Sequence, residues 1–355
     1  MSKTILVTGA NSFSGGWIIK YLLDKGYNVR GTVRSQAKES RVLDGIPSEQ
    51  QCRISLVHIN DITTDSFDEA VQDVDGIIHV ASPVQFEITD PEKDFLLPAI
   101  NGTIGVLQAA HKYNQNHFNK IKRIVITSSL GAVLDPTKGL RPGYCYTEKD
   151  WCPLTYEKGV SSKNDRTTAY LASKTLSERV VWDFLDKEKP SFTIATICPP
   201  LVLGPRVNGF ESLDDINASN SLIWSLINSS KDAQIPDTVI PFQVDVRDLA
   251  CIHVEVLERF GGTNQRFLIR AETSSFQTIS DIIHEDFLIP DNIKNKTPIG
   301  TKGQKSSDHF TIDSSPVQND LRIEYIPLKK TIEDLVLQFI ELKEKLEHER
   351  LTHTE

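Results

Sequence analysis

"ILVTGANSFSGGWI", residues 5–18, joins three kinds of segment in a set order. Ile5-Leu6-Val7 is a short apolar run of strand-forming residues, and Thr8-Gly9 opens a tight turn. From Trp17 to Leu23 apolar residues then recur at helical spacing. Strand, glycine turn and helix in that order aim backbone N–H groups and the positive end of a helix at one point, a cradle for a dinucleotide pyrophosphate. Glycines at 9, 12 and 15 would complete the usual spacing, but position 12 is Ser. A Cβ there costs little if the backbone is right-handed, and the hydroxyl can donate to a phosphate oxygen. Gly9, Ala10, Asn11, Ser12, Phe13 and Ser14 therefore read as a phosphate loop that tolerates the change. Ser14 is a second departure, where an apolar residue is usual.

Working outward, the same alternation repeats. Candidate strands are 4–8, 28–34, 54–60, 76–81, 123–128 and 193–198, most of them apolar on both faces. Helical patterns lie between them near 13–25, 66–73, 92–117 and 165–188. This predicts an α/β fold, a doubly wound parallel Rossmann sheet, with a smaller C-terminal α/β substrate lobe. The expected division is a cofactor-binding unit over 1–199, with 240–258 returning to it. The substrate lobe takes 200–239 and 259–355. The last helix places Leu335, Phe339, Leu342 and Leu346 on one face, read as packing on its own lobe rather than a dimer seam. Thr331 and Asp334 resemble a capping box at its start.

The chain has 355 residues, 39% hydrophobic and 25% charged, with a net charge of −9. That excess of acid argues against nucleic-acid binding. No apolar run has membrane-spanning length and no signal-peptide pattern precedes the first strand, so no membrane role is expected. The five cysteines, at 52, 145, 152, 198 and 251, are scattered, as in reduced cytoplasmic proteins. The nine histidines have no ligand spacing, so no metal is expected. The chain is expected to be a monomer or homodimer.

The second strand bears on cofactor choice. An NAD site places an acid at its end, bonded to the ribose hydroxyls. "GYNVRGTVRSQAKE" instead offers Arg30, Arg34 and Lys38 before Glu39. Arg34 falls where a 2′-phosphate would lie, Lys38 adds charge beside it, and NADPH/NADP is the expected cofactor. Asp61 and Ile62 end the third strand, placed to border the adenine. Ala81, Ser82 and Pro83 end the fourth near the same crevice. Either set could equally be an ordinary strand-end loop.

"VITSSLGAV" ends the fifth strand with Ser128 and Ser129. About forty residues on, Tyr170 and Lys174 stand one turn apart on one helix face. A phenol is a weak acid at neutral pH, and a neighbouring ammonium lowers its pKa. A Tyr and Lys at this spacing is common by chance, but the strand-end serines and the loop upstream give it meaning.

With "TGANSFSGG", "VRGTVRS", "HVASP", "PAINGTIGVLQAA", "VITSSLGAV", "YLASK", "CPPLVLGP" and "DVRDLA" in this order, the chain resembles an extended short-chain dehydrogenase/reductase. It is most similar to the dihydroflavonol-reductase-like branch and to fungal NADPH-dependent methylglyoxal and carbonyl reductases. The resemblance implies that Ser129 bonds the substrate carbonyl, Tyr170 donates the proton, and Lys174 tunes it and holds the cofactor ribose. Pro199, Leu201 and Val202 would line the nicotinamide, with Ser219 nearby. Asn101 would join a proton relay or simply pack its helix. Val84, Phe86, Leu130, Leu134 and Leu201 are candidate apolar walls, suiting a small or hydrophobic carbonyl substrate. The expected activity is NADPH-dependent reduction of a ketone or aldehyde. Its rivals are a sugar-nucleotide epimerase or dehydratase on the same fold and a non-catalytic NADP-sensing protein.

Overall fold

β1 (Thr4–Thr8) is buried from Ile5 onward, and its alternating side chains feed two separate cores. Ile5 and Val7 face α1 (Phe13–Asp24), whose Ile18, Ile19 and Leu22 complete that layer. Leu6 points the other way, into a cluster with Val106, Leu107 and Val181 from two helices on the opposite side. A strand apolar on both faces is thus covered on both faces. The computed structural model describes residues 2–81, 89–163, 165–259, 262–304 and 308–352.

Further strands follow: β2 (Asn28–Val33), β3 (Ile54–His58), β4 (Gly76–His79), β5 (Arg123–Thr127) and β6 (Thr193–Cys198). With β9 (Gln265–Leu268) they form a seven-stranded sheet in the order β9-β6-β5-β4-β1-β2-β3. Every pairing in it is parallel; Ile5, for example, stands opposite Val29 on one side and Gly76 on the other. The order reverses between β1 and β4, so the carboxyl ends of the strands open a crevice there. α2 (Leu97–Asn116) and α3 (Arg166–Glu188) cover one face. α1 and α5 (Val246–Arg259) cover the other. Helix α5 follows β8 (Gln243–Asp245), which pairs with β7 (Leu201–Leu203) just past the end of β6.

A third core joins α4 (Ala218–Leu226), α6 (Phe276–Glu285) and α7 (Leu328–Thr352) through Ile223, Ile279, Ile283, Leu335, Phe339 and Leu342. The apolar stripe of the last helix therefore packs within its own lobe. Among the described residues, no helix is long and apolar enough to cross a membrane.

Two local expectations are corrected. Residues 66–73 form turns rather than a helix, because Asp73 takes a left-handed φ of 56° and closes the segment. Helix α7 starts at Leu328, so Thr331 is not its cap. Its hydroxyl instead donates to Asp245 Oδ2 at 2.7 Å, from a fully buried position.

Candidate active site

The phosphate loop is built around two glycines at which any side chain would force its neighbours to shift. Gly9 has φ +68°, and a Cβ on it would come within 3.1 Å of the Ala81 backbone. A Cβ on Gly15 would lie 2.3 Å from the Gly9 carbonyl oxygen. Ser12, between them, sits at φ −72° and ψ 166°, an unstrained extended conformation. It is the N-cap of α1, its Oγ accepting from Gly15 N at 3.1 Å. The hydroxyl hydrogen stays available to a ligand. The first turn of α1 holds no acid, so its positive end is uncompensated.

Beside the loop runs a groove of about 200 Å³ lined by Gly9, Asn11, Ser12, Arg34, Lys38 and Ile62, among others. Thr32, Val33, Ile59, Phe67 and Ala81 complete its wall. Arg34 and Lys38 are exposed at the end of β2, and among the described residues no carboxylate lines the groove. Asp61 turns its carboxylate to the Thr63 N–H at 2.8 Å, which holds it below the usual carboxylate range, while Ile62 faces the groove. The residues present thus suit an adenine dinucleotide carrying a 2′-phosphate: a glycine cradle, a helix N-terminus with no acid in its first turn, and two cations.

At the end of β5 the two serines diverge, as adjacent residues of an extended chain must. Ser128 Oγ points inward to Glu178 at 2.7 Å. Ser129, with φ −157°, turns toward α3, where the Tyr170 hydroxyl donates to its Oγ at 3.4 Å. Lys174 follows one turn later, its Nζ 5.6 Å from the centre of the Tyr170 ring. Ser129 and Lys174 are buried, and Tyr170 between them is half-buried. Burial pushes the Tyr170 phenol up, against the opposing pull of the Ser129 hydrogen bond. Burial also brings Lys174 down to about 8. Desolvation thus dominates both groups, in place of the lowering of the phenol by the ammonium that the spacing predicts. Behind them His79 is buried and held at about 4, by desolvation first and then by the Lys174 charge. Its Nδ1 meets Thr8 Oγ1 at 2.8 Å, and that oxygen also accepts from Val80 and Ala81 N–H.

The NAD dependent epimerase/dehydratase family matches residues 5–269. The chain belongs to that family. Within it, an NADPH-dependent methylglyoxal reductase of Saccharomyces cerevisiae is 30% identical over 353 residues, covering 97% of this chain and all of the relative. A ketoreductase of Aspergillus niger is 33% identical over 353 residues, 96% of this chain and 98% of its own. The solved yeast methylglyoxal/isovaleraldehyde reductase in complex with NADPH superposes with a TM-score of 0.86 at 30% identity, over 96% of this chain and 99% of that one.

The other residues expected at the site take varied environments. Ser82, Pro83, Val84 and Phe86 lie outside the described residues. Leu130 is 1% exposed, enclosed in a cluster with Val133, Tyr146 and Phe310, and Leu134 packs on that cluster's edge. Pro199 is buried and its carbonyl accepts from Leu130 N at 2.8 Å, which ties the end of β6 to the Ser129 turn. Leu201 and Val202 are half-buried, Val202 packing on the sheet core. Ser219 stands in the first turn of α4 and Asn101 is half-buried on α2. Sequence reasoning missed Arg206, whose Nη2 donates to the Asn11 carbonyl at 3.2 Å, and Trp17, whose Nε1 donates to the Pro205 carbonyl at 2.8 Å. These bonds strap the segment after β7 over the phosphate loop. Nothing local to Arg206 signals a partner so far back in the chain.

Proposed function

We propose that this protein is an NADPH-dependent carbonyl reductase that converts a small ketone or aldehyde to an alcohol, using Ser129, Tyr170 and Lys174. The observation that carries this reading is the meeting of the Ser129 and Tyr170 hydroxyls at 3.4 Å, one helical turn from Lys174, at the same end of the sheet as the glycine loop. Gly9 to Ser14 hold the pyrophosphate, Arg34 and Lys38 the 2′-phosphate, and Ile62 borders the adenine. When bound, NADPH supplies the hydride that reduces the carbonyl carbon. Tyr170 delivers the proton to the carbonyl oxygen, and Ser129 donates a hydrogen bond to the same oxygen, where negative charge develops. Lys174 sets the local charge that lets the phenol release its proton. Burial of Ser129 and Lys174 strengthens these interactions.

The cofactor unit is read as 1–199 with 240–258, and the substrate lobe as 200–239 with 259–355, β9 lending the main sheet its outer strand. Leu201 is a proposed apolar wall among the described residues. It suits a compact carbonyl compound such as methylglyoxal, the substrate that names the yeast relative. An epimerase reading is disfavoured by the acid-free end of β2. The protein is read as cytoplasmic, working as a monomer or homodimer. The test is to follow NADPH oxidation with methylglyoxal and a panel of ketones and to identify the alcohol formed. NADPH binding without turnover on any carbonyl compound would refute the reading.

A further inference from the structure

Glu178 lies on α3 one turn beyond Lys174 and is only 2% exposed. Its Oε2 accepts from Ser128 Oγ at 2.7 Å and its Oε1 from Thr196 Oγ1 at 2.6 Å. Arg266 of β9 closes on the carboxylate as a fork, Nε at 2.8 Å from Oε1 and Nη2 at 3.1 Å from Oε2. The remaining guanidinium hydrogens go to main-chain carbonyls: Ala132 at 3.1 Å, Glu148 at 3.0 Å, and Asp150. The Trp151 ring stacks on the guanidinium, 3.8 Å from its carbon. All five donors of this arginine are used, in a geometry that only its planar fork provides.

A buried ion pair is weak evidence of stability, because desolvation offsets the attraction. What distinguishes this pair is what it joins. Ser128 adjoins Ser129, and Ala132 N donates back to the Ser129 carbonyl at 2.9 Å. Helix α3 carries Tyr170 and Lys174, and Thr196 lies on β6, which ends just before Pro199. The Ser129–Tyr170 contact itself, at 3.4 Å, is long for two hydroxyls and cannot hold these segments together. We infer that the Glu178–Arg266 pair is a positioning device for the reaction: it locks the Ser129 turn against α3 so that both hydroxyls converge on one carbonyl oxygen. This inference rests on the proposed roles of Ser129, Tyr170 and Lys174.

Two full-length variants test it. Arg266→Lys keeps the charge opposite Glu178 but, as a compact ammonium, cannot serve the carboxylate and three carbonyls together. The double variant Glu178→Gln with Arg266→Met removes both buried charges, which protects folding, while also removing the ties to Ala132, Glu148 and Asp150. Both should bind NADPH within about twofold of wild type and keep KM for methylglyoxal, while kcat falls by about 10- to 100-fold, the scale of a misplaced reacting group. With NADPH deuterated at the transferred position, the isotope effect on kcat should rise, because the chemical step has become slower. Unchanged kcat in variants that bind NADPH normally would overturn the inference. Loss of NADPH binding in both would assign the pair to the fold and overturn it equally. Tyr170→Phe, run in parallel, separates the two levels: if it stays active, the site reading itself fails; if it is inactive while the Arg266 variants are fully active, only the positioning role fails.

Discussion

Replacing Gly15 by Ala sets two effects against each other. Gly15 does not adopt a positive φ, so in a helix Ala should gain roughly 0.5–1 kcal/mol through reduced chain entropy. Against this, the added Cβ would lie 2.3 Å from the Gly9 carbonyl oxygen, 2.8 Å from Ser12 Oγ and 3.1 Å from the Ala10 carbonyl oxygen. Neither carbonyl oxygen lies at the end of a flexible side chain. The Gly9 carbonyl accepts from Ser12 N at 2.9 Å, and Gly9 is itself pressed on Ala81. Relief therefore requires the whole loop to move by a large fraction of an ångström. Overpacking of this kind costs about 1–3 kcal/mol, which exceeds the entropic gain. A displaced loop also forfeits a charge-assisted bond to the pyrophosphate, about 1.5–3 kcal/mol, or roughly 10- to 100-fold in affinity. Urea unfolding and fluorescence titration with NADPH read the two consequences separately. Gly26→Ala is the control, with φ +86° and nothing within 4 Å of the added atom. It should cost about 1 kcal/mol of backbone strain and leave NADPH affinity unchanged. A Gly15→Ala protein as stable as wild type that binds NADPH as tightly would refute this reading of the loop.

Arg34→Ala should weaken NADPH by about 10- to 100-fold and leave NADH within about twofold, in parallel titrations, because only the 2′-phosphate loses its partner. Ser12→Gly relieves no strain, since Ser12 already lies at φ −72°. It should lower stability in urea by about 0.5–1.5 kcal/mol through the lost cap and the freer unfolded chain, with no gain in NADPH affinity. His79 and His253 are both held at about 4 by burial, below their ordinary 6.5. Below 6.5 the unfolded chain takes up protons that the folded one refuses. Stability should therefore fall as pH drops from about 6.5 toward 4, by on the order of 3 kcal/mol for each histidine, seen as a falling urea midpoint.

The strands were legible because an apolar run covered on both faces has few other places to go; the expected ends of β2 to β5 overran by one or two residues, into strand-end turns. Residues 66–73 misled for an instructive reason. Phe67, Ala70, Val71 and Val74 do face one core at helical spacing, but the left-handed Asp73 ends the segment after a single turn. β9 escaped notice because Gln265 and Arg266 look like surface residues, when Arg266 is in fact buried on Glu178, 88 positions away. Thr331 looked like a cap from its neighbours in sequence and is claimed instead by Asp245, from a different element. Chemistry carried by near neighbours, such as Gly9 to Gly15 or Tyr170 with Lys174, could be read directly. Chemistry carried by partners that only folding brings together, such as Arg206 on the Asn11 carbonyl, could not.

The most direct test of the central claim compares wild type with Tyr170→Phe, measuring NADPH-dependent reduction of methylglyoxal beside NADPH affinity. The substitution removes only the hydroxyl that meets Ser129. Turnover should fall by about 10²- to 10⁴-fold, the usual worth of a positioned general acid, while NADPH binds as before. Near-normal turnover in Tyr170→Phe would contradict the account.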